Sequence, residues 1–471
     1  SSSRARMGDH GLNPDTIVQR ATPAGEGGLA VVRVSGPEAR SMAEAVFRRA
    51  TAPARPLRWR HAYYGRLVDP ASGRDVDEVV LTLYAPGASF TGEAMAEIGC
   101  HAGPIAVGRV IELFQRLGAR PAEPGEFSKR AFLNGRLDLC QAEAICDLVR
   151  ARSDEAAQAA LRQLDGGLSE RVRGLRDSLM GLLAEIEVTI DFPDDDLVPV
   201  TTDHAERRCE EAMRALDDLL SRAEVGRSLR EGVVVAIAGR PNVGKSSLLN
   251  GLLGRQRAIV TSEPGTTRDL IEEQITLAGI PFRLVDTAGL RAASGEVEAM
   301  GVDLALRAIE TADICLVVLD ASMPIEAEDR RVMDQVRERC ARRVGVLNKR
   351  DLPARLTAEQ ASAALACSAW VHTSAIEPGG TTELERALAE LVAGGGISAE
   401  GELLTNARHA HLMRMARAEL DSAAAAAREG VPVDLVSIRI RAAAEHLGEI
   451  TGETLVPELV DRIFSTFCLG K

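Results

Sequence analysis

Hydrophobic and polar residues alternate in several short runs near the start of the chain. Such alternation is typical of half-buried β-strands. Between these runs, apolar residues recur every three or four positions, as they do in amphipathic helices. The pattern predicts strands over 29–36, 77–87 and 93–103, and helices that are entered through Gly-Pro at Gly36 and Gly103. We therefore expect a small α+β domain, with the Pro- and Gly-rich stretch 120–132 as its boundary.

One apolar stripe dominates the following part of the chain. Apolar residues spaced three and four apart from Leu161 to Ile186 predict one long amphipathic helix, which the stretch 191–196 ends. A second helix follows, with apolar residues from Cys209 to Leu220 on one side. The short connection between the two helices predicts antiparallel packing.

Consecutive apolar residues replace this pattern after residue 232. The runs VVVAIAG, FRLVDTAG, ICLVVLD and RRVGVLN are typical of buried parallel strands, and helical stretches separate them. This α/β region closes at the three glycines 394–396, and residues 400–471 are helical again. Because helical stretches flank the α/β unit, we predict that it is inserted into one helical domain. Independent C-terminal helices are the rival interpretation.

The predicted fold class is therefore multidomain α+β with an inserted α/β P-loop domain. The predicted boundaries are 1–130 for the N-terminal α+β domain, 131–230 and 397–471 for the two parts of the helical domain, and 231–396 for the α/β domain.

Charge and cysteine content narrow the classes of function. The chain has 69 acidic and 56 basic residues and a net charge of −13, which excludes a protein that mainly coats phosphates but leaves room for a local basic patch. None of the eight cysteines forms a CxxC pair, so we expect reduced thiols rather than a zinc site or disulfides. The longest apolar run, 314–319, is too short to span a bilayer, and we expect a cytoplasmic protein without a membrane segment.

Residues Gly239–Ser246 fit the phosphate-binding pattern GxxxxGK[ST]. They follow an apolar strand and precede a helix, which is the context that this loop needs. Backbone N–H groups and the helix N-terminus would surround the phosphates, and Lys245 would reach the terminal phosphates. The hydroxyl of Ser246 is expected to bind Mg²⁺.

Further nucleotide motifs follow in order. Asp286–Gly289 closes a strand, so that Asp286 reaches the Mg²⁺ shell through water and the Gly289 N–H senses the γ-phosphate. Thr267, in the polar loop before it, would complete the Mg²⁺ coordination.

The last two motifs select the base. The Asp351 carboxylate in Asn348–Asp351 would accept hydrogen bonds from guanine, and adenine lacks the matching donors. The segment Thr373–Ala375 suits a backbone contact to guanine O6. Four motifs in order predict a GTPase.

The water-activating group is not evident from these motifs. Ras-like enzymes carry Gln after DTAG, but here the position is Leu290, which cannot orient water. Glu296, Glu298 or a partner are the candidates. Asn242 either ligates a monovalent cation beside the phosphates or only suits the turn.

These residues resemble the TRAFAC GTPases that have a hydrophobic residue after DTAG, and nearly the whole chain is similar to the MnmE (TrmE) family of tRNA modification GTPases. The segments that carry this resemblance are DTIVQRATPAGEGGLAVVRVSG at the start, 119–148, TIDFPDDD (189–196) and the terminal FCLGK. It implies an N-terminal α+β folate-binding-like domain and a Ras-like G domain, or GTPase domain, inserted in the helical domain.

The resemblance also assigns the catalytic and ion-binding residues. Glu298 would orient water as general base, and K⁺ would be bound by Asn242, Thr261, Glu263 and Thr266. The predicted GTP-binding set is Asn242, Val243, Gly244, Lys245, Ser246, Ser247, Thr261, Ser262, Glu263, Pro264, Gly265, Thr266, Thr267, Asp286, Thr287, Ala288, Gly289, Asn348, Lys349, Asp351, Ser374 and Ala375.

A second site is implied in the N-terminal domain. Four residues match the family's folate site: Arg33, Glu97, Arg136 and Lys471. Cationic side chains suit the carboxylates of a reduced folate, 5,10-methylene- or 5-formyl-tetrahydrofolate. Cys468 matches a cysteine that the family implicates in modification chemistry.

The function implied is modification of carbon 5 of the wobble uridine of certain tRNAs. The implied partners are a second copy, bound through the N-terminal domain, an FAD-dependent MnmG (GidA) protein in a heterotetramer or larger assembly, and tRNA. A GTP-gated ribosome or RNA assembly factor without its own carbon chemistry is the alternative. A nucleotide-sensing scaffold with negligible turnover is a third interpretation.

Overall fold

The computed structural model describes residues 15–50, 56–191, 201–256, 272–286, 296–393, 404–454, 457–467 and 470. The chain divides into two compact units. Unit 1 comprises residues 1–146 and 448–471, and unit 2 comprises residues 147–447.

Unit 1 is built on a seven-stranded sheet with the order β3-β4-β5-β6-β2-β1-β7. Its strands are antiparallel except for the pair β1–β7. They are β1 (Ile17–Arg20), β2 (Ala30–Ser35), β3 (Phe47–Arg49), β4 (Ala62–Val68), β5 (Asp75–Tyr84), β6 (Met95–Cys100) and β7 (Arg120–Pro121). The predicted strands over 29–36, 77–87 and 93–103 are confirmed as β2, β5 and β6.

Helices α1 (Ala39–Val46) and α2 (Pro104–Arg116) contribute to the apolar core of this sheet. The core includes Leu81, Ile98 and Phe114, all fully buried. Helix α1 is shorter than its apolar spacing suggests, because the chain turns into the edge strand β3 at Phe47.

The stretch 120–132 does not end the folded unit, contrary to the prediction from its prolines and glycines. It contains β7 and the start of α3 (Glu126–Leu133). The reason lies in Arg130, which is 3% exposed and bonds to Asp15, Glu93 and Glu126. These contacts fix α3 against the beginning of the chain. Helices α4 (Leu139–Arg150) and α16 (Pro457–Phe464) follow, and Phe464 packs on Phe132 of α3.

Unit 2 begins with helices rather than strands. They are α5 (Asp154–Leu164), α6 (Gly167–Asp191), α7 (Thr202–Ser221) and α8 (Ala223–Glu231), and α14 (Ala407–Arg428) and α15 (Val433–Thr451) come much later in the chain. The prediction of one long helix from Leu161 to Ile186 was wrong, because Gly166 adopts a φ of 96° between α5 and α6. Helix α14 contacts α7 through ion pairs such as Arg417–Asp217, so helical segments from both sides of the α/β region pack together.

A six-stranded sheet with the order β13-β12-β11-β8-β10-β9 forms the centre of the α/β region. All pairs are parallel except β9–β10. The elements are β8 (Val233–Ala238), α9 (Lys245–Gln256), β9 (Glu272–Leu277), β10 (Ile280–Asp286), α10 (Glu296–Thr311), β11 (Ile314–Asp320), α11 (Ala327–Arg339), β12 (Arg343–Asn348), α12 (Ala358–Ala364), β13 (Ala369–His372) and α13 (Thr382–Ala393). Strand β11 is buried along its whole length.

This architecture confirms the predicted fold class: an N-terminal α+β domain, a helical domain and a Ras-like α/β P-loop domain. In such parallel sheets the loops after the strands meet at one edge, where ligands bind. No helix in the described ranges is long and apolar enough to cross a membrane.

Candidate functional site

The P-loop connects the buried strand β8 to the N-terminus of α9. Two of its residues, Asn242 and Gly244, adopt left-handed backbone angles, with φ of 64° and 97°. A Cβ at Gly244 would collide with the side-chain amide of Asn348. The loop therefore requires glycine at 244, both for its backbone angle and for the approach of Asn348.

The Lys245 side chain lies along this loop. It is 6% exposed, and its Nζ donates hydrogen bonds to the carbonyl oxygens of Gly239 at 2.9 Å and Arg240 at 2.8 Å. The ammonium charge is thereby held next to the first turn of α9, whose free N–H groups and dipole also favour anions.

Ser246 and Asp286 come together from two different motifs. The Ser246 Oγ donates a hydrogen bond to Asp286 Oδ2 at 2.9 Å. Asp286 is the last residue of β10, so the pairing of β8 with β10 brings the carboxylate to the start of α9. A hydroxyl and a carboxylate are oxygen ligands that suit Mg²⁺, and the two residues fit a Mg²⁺ ion at the phosphates.

Asn348 joins the P-loop to Thr373–Ala375, the segment predicted to contact the base, which we call the base-recognition loop. It is 1% exposed; its Nδ2 donates to the Val243 carbonyl at 2.8 Å, and its Oδ1 accepts from Thr373 Oγ1 at 3.1 Å. The buried amide therefore fixes the spacing between the phosphate end and the base end of the site.

Lys349 and Asp351, which follow Asn348 in the chain, differ in their surroundings: Lys349 pairs with a carboxylate, whereas Asp351 is exposed to solvent. Lys349 has a φ of 63°, and its Nζ contacts Asp320 Oδ2 at 2.6 Å. Burial raises the pKa of Asp320, but hydrogen bonds from Lys349 and Ser322 outweigh it and hold the pKa below its ordinary value. Asp351 is exposed and accepts one hydrogen bond, from Ser374 Oγ at 2.8 Å. Its carboxylate is thus oriented while remaining open to solvent.

A second polar cluster lies on the sheet of unit 1. Arg33 on β2 and Glu97 on β6 are directly paired in register, and Arg33 Nε lies 2.8 Å from Glu97 Oε1. Tyr84 donates to the other oxygen of Glu97 at 3.3 Å, and the Arg33 guanidinium lies 5.1 Å from the ring centroid of Phe90. Burial and Glu97 raise the pKa of Tyr84, so its hydroxyl stays a donor.

Arg136 lies close to the loop that carries Phe90. It is exposed, and its Cγ would be 3.1 Å from a Cβ at Gly92. Asn134 Nδ2 donates to the carbonyl of Thr91 at 2.8 Å, which ties the two segments together. The loop around residues 90–92 therefore touches both Arg33 and the segment that carries Arg136.

The chain matches known proteins over nearly its whole length. A family model described as the GTP-binding protein TrmE N-terminus matches residues 16–136, and one described as the MnmE helical domain matches residues 139–468. A tRNA modification GTPase MnmE from Lactiplantibacillus plantarum is 43% identical over 460 residues, covering 97% of this chain and 98% of the relative. One from Geobacillus kaustophilus is 44% identical over 461 residues, covering 97% and 99%.

The chain belongs to the MnmE family of tRNA modification GTPases. It is a GTP hydrolase that acts in tRNA modification. The solved G domain of the T. maritima FeoB iron transporter also matches, with 27% identity over 34% of this chain and 97% of that chain, but its TM-score of 0.27 is too low to support an argument.

Several residues predicted for the MnmE-family sites lie outside the described residues. Glu298 belongs to α10, but its side chain is not among the described ones. The others that lie outside are Thr261, Ser262, Glu263, Pro264, Gly265, Thr266, Thr267, Thr287, Ala288, Gly289, Cys468 and Lys471. Gly470, which precedes Lys471, is described, and a Cβ there would collide with the carbonyl of Arg20 at the end of β1.

Three residues of these clusters escaped the sequence analysis. Asp320 ends a buried strand next to the P-loop strand, as Asp286 does, and that position was the available signal. Tyr84 and Phe90 had no comparable signal, because their contacts depend on the pairing of distant strands.

Proposed function

We propose that this MnmE-family GTPase modifies carbon 5 of the wobble uridine of certain tRNAs together with an FAD-dependent MnmG (GidA) partner. A reduced folate, 5,10-methylene- or 5-formyl-tetrahydrofolate, supplies the one-carbon unit. GTP hydrolysis, activated by K⁺ and Mg²⁺, drives the conformational cycle rather than the carbon chemistry. The observation that carries this proposal is the cluster of Arg33, Glu97, Tyr84 and Phe90 near Arg136.

The chemistry of this cluster suits a folate. Carboxylates such as Glu97 accept hydrogen bonds from ring N–H groups, and Phe90 offers a flat apolar surface to a pteridine ring. The exposed guanidinium of Arg136 suits the glutamate carboxylates of the folate tail. The Arg33 guanidinium holds the Glu97 carboxylate in place through a 2.8 Å contact, so the acceptor is oriented before the ligand arrives.

Two features support the K⁺ and water assignments. Leu290 cannot orient water, so another group must do so, and Glu298 is the family's residue for that role. Asn242 is an exposed residue of the P-loop and has a left-handed backbone, a conformation in which asparagine is enriched. A cation bound there would offset the charge that develops on the phosphates during hydrolysis.

The proposed homodimer forms through the N-terminal domain. The sheet of unit 1 exposes large apolar residues on neighbouring strands, Tyr64 at 58% and Val80 at 42%, and the two are paired in register. Adjacent exposed apolar residues on a sheet favour association. We also propose that the protein acts with MnmG. We place it in the cytoplasm because its tRNA substrate is found there.

Calorimetric titration with 5-formyl-tetrahydrofolate tests the one-carbon site. We expect binding by the unaltered protein and at least tenfold weaker binding by Glu97→Gln, because the lost carboxylate leaves donors of the ligand unpaired, a cost of about 1–3 kcal/mol. Glu78→Gln is the matched control, since Glu78 is an exposed carboxylate on β5 that pairs with Arg66. If the unaltered protein binds no folate, the assembly-factor alternative is favoured.

Single-turnover hydrolysis tests the GTPase assignments. We expect K⁺ to stimulate hydrolysis relative to Na⁺ at equal ionic strength. Glu298→Ala should slow hydrolysis at least tenfold with nucleotide affinity retained, as expected for a lost general base. Equal hydrolysis rates in K⁺ and Na⁺ would contradict the K⁺ assignment. An unchanged rate for Glu298→Ala would contradict the role of Glu298 as general base.

A further inference from the structure

One short segment of unit 1 concentrates positive charge and aromatic rings in an acidic chain. Residues 40–66 contain seven arginines and one glutamate, although the net charge of the whole chain is −13. They also contain one of the two tryptophans and two of the three tyrosines. The described part of this segment runs from α1 through β3, the edge strand of the sheet, into β4. We call Arg40, Arg48, Arg49, Arg58, Trp59, Arg60 and Tyr63 the arginine corner.

Aromatic rings fix the position of two of these arginines. The guanidinium of Arg40 lies 4.3 Å from the ring centroid of Trp59, and that of Arg49 lies 4.3 Å from that of Tyr63. The Tyr63 hydroxyl also accepts the backbone N–H of Arg58 at 2.8 Å. Arg49 is therefore held by a ring rather than by a carboxylate, which orients its charge without neutralising it.

Most of the positive charge in the corner is uncompensated. Within the described residues, no carboxylate lies within 4.0 Å of Arg48, Arg49, Arg58 or Arg60, whereas the nearby Arg66 pairs with both Asp75 and Glu78. Arg48 also lies directly opposite Arg66 across the β3–β4 pair. Like charges opposite each other weaken a strand pair, so the corner keeps unpaired guanidinium groups at a cost to stability.

The corner adjoins the candidate one-carbon site. Arg60 adopts a φ of 61°, and its backbone N–H donates to the Leu83 carbonyl at 2.7 Å. It thus lies beside the end of β5, close enough to Tyr84 for its charge to lower the pKa of that phenol, against the larger effects of burial and Glu97. Tyr84 in turn donates to Glu97.

We propose that the arginine corner binds the phosphate backbone of the tRNA substrate and brings the RNA next to the candidate one-carbon site. Fixed guanidinium groups match phosphate oxygens in geometry and charge, and interleaved aromatic rings are typical of RNA-binding surfaces. The inference rests on the family's action on tRNA. It extends the proposed one-carbon site but does not require folate to bind.

Fluorescence anisotropy with a labelled transcript of a tRNA that has uridine at the wobble position tests this assignment. The variant is Arg58→Gln/Arg60→Gln in the full chain. Its matched control is Arg330→Gln/Arg331→Gln, which removes the same charge from exposed positions of α11. We expect at least tenfold weaker tRNA binding for the corner variant at about 0.1 M salt, and a slope of log affinity against log salt that is reduced by about two. The control should bind as the unaltered protein does.

A single change on β3 provides an independent test. Arg48→Gln should lower the salt slope by about one. Thermal unfolding monitored by circular dichroism shows whether each variant is folded. The proposal is overturned if folded corner variants bind the transcript as the control does, or if the unaltered protein binds no tRNA. If the corner variants bind tRNA as the unaltered protein does but bind polyglutamate more weakly, the corner instead binds an acidic protein. Because the assay contains no folate, failure of the one-carbon site would leave its result intact.

Discussion

Gly244 shows how strongly one residue of the P-loop is constrained. Its backbone angle is unfavourable for any residue with a Cβ, and that atom would meet the Asn348 amide. Asn348 in turn spans the Val243 carbonyl and the Thr373 hydroxyl. A change at Gly244 is therefore transmitted to the base-recognition loop.

Gly244→Ala is expected to weaken binding of a fluorescent GDP analogue at least tenfold and to lower the free energy of unfolding by about 2 kcal/mol, through backbone strain and displacement of Asn348. Gly254→Ala is the matched control. Gly254 lies in α9 with no atom within 4 Å of the added Cβ. It should leave nucleotide binding unchanged and stabilise the helix by up to about 1 kcal/mol. Equal nucleotide affinities for the two variants would contradict the role given to Gly244.

The nucleotide-site residues were predictable because each motif stands at the end of a strand. Asp286 and Asn348 follow apolar runs, and parallel strands bring those ends to one edge. The contacts of Arg33 were not predictable, since its pairing with Glu97 depends on a register set between strands 64 residues apart in sequence. Part of the arginine corner stands in the sequence as LRWRHAYY (57–64), but only the structure brings Arg40, Arg48 and Arg49 to it and shows which of its arginines lack a carboxylate among the described residues.

At the scale of elements, the hairpin β9–β10 is the antiparallel pair of the α/β sheet, and its second strand ends at Asp286. Its two-residue turn, Ala278–Gly279, has φ of 47° and 81°. Two positive angles are the signature of a type I′ turn, which favours Asn-Gly. Alanine at the first position is strained, because a left-handed residue with a Cβ costs about 1 kcal/mol.

Ala278→Asn is therefore expected to raise the free energy of unfolding of unit 2 by about 0.5–1 kcal/mol. Urea denaturation measured by circular dichroism would detect this gain. Ala278→Ser is the control, because serine lacks the preference of asparagine for the left-handed region. If both variants are as stable as the parent, the turn is not strained in solution.

Short strands and helix breaks explain the errors of prediction at this scale. Strands β1, β3, β4, β7, β9 and β13 were not predicted, and Gly166 divides a stripe of apolar residues that is continuous in sequence. Apolar residues recur at the same spacing whether a stretch of chain forms one helix or two successive helices. Only the backbone angle at Gly166 distinguishes the two.

At the scale of the whole molecule, ion pairs tie stability to pH. Burial raises the pKa values of Asp15 and Glu126, but hydrogen bonds from Arg120 and Arg130 outweigh it, and both stay below their ordinary values of 3.8 and 4.5. Asp320 in unit 2 behaves likewise. A carboxylate whose pKa is lower in the folded state stabilises the fold above its unfolded pKa. That contribution is lost as the pH falls through the folded value.

We therefore expect the urea midpoint of unit 1 to fall as the pH is lowered from 7 to about 2, because the folded pKa values of Asp15 and Glu126 lie below 3.8 and 4.5. Asp15→Asn should lower stability at pH 7 by about 1–3 kcal/mol, because it removes a partner of the buried Arg130, and should reduce the change between the two pH values. Asp434→Asn, an exposed aspartate without an ion pair to any described residue, should leave both quantities unchanged. A pH dependence of Asp15→Asn equal to that of the parent would contradict the assignment.

The division of the chain also dictates an order of synthesis and folding. Unit 1 needs residues from both before and after unit 2: Phe464 packs on Phe132, and Gly125 contacts the backbone of Phe464. A ribosome completes unit 2 before it makes α16, so the GTPase fold can form while the first 146 residues still lack their partner segment. During that interval the strands of unit 1, which all lie within residues 17–121, have already been synthesised, but Phe132 of α3 still lacks the packing of Phe464.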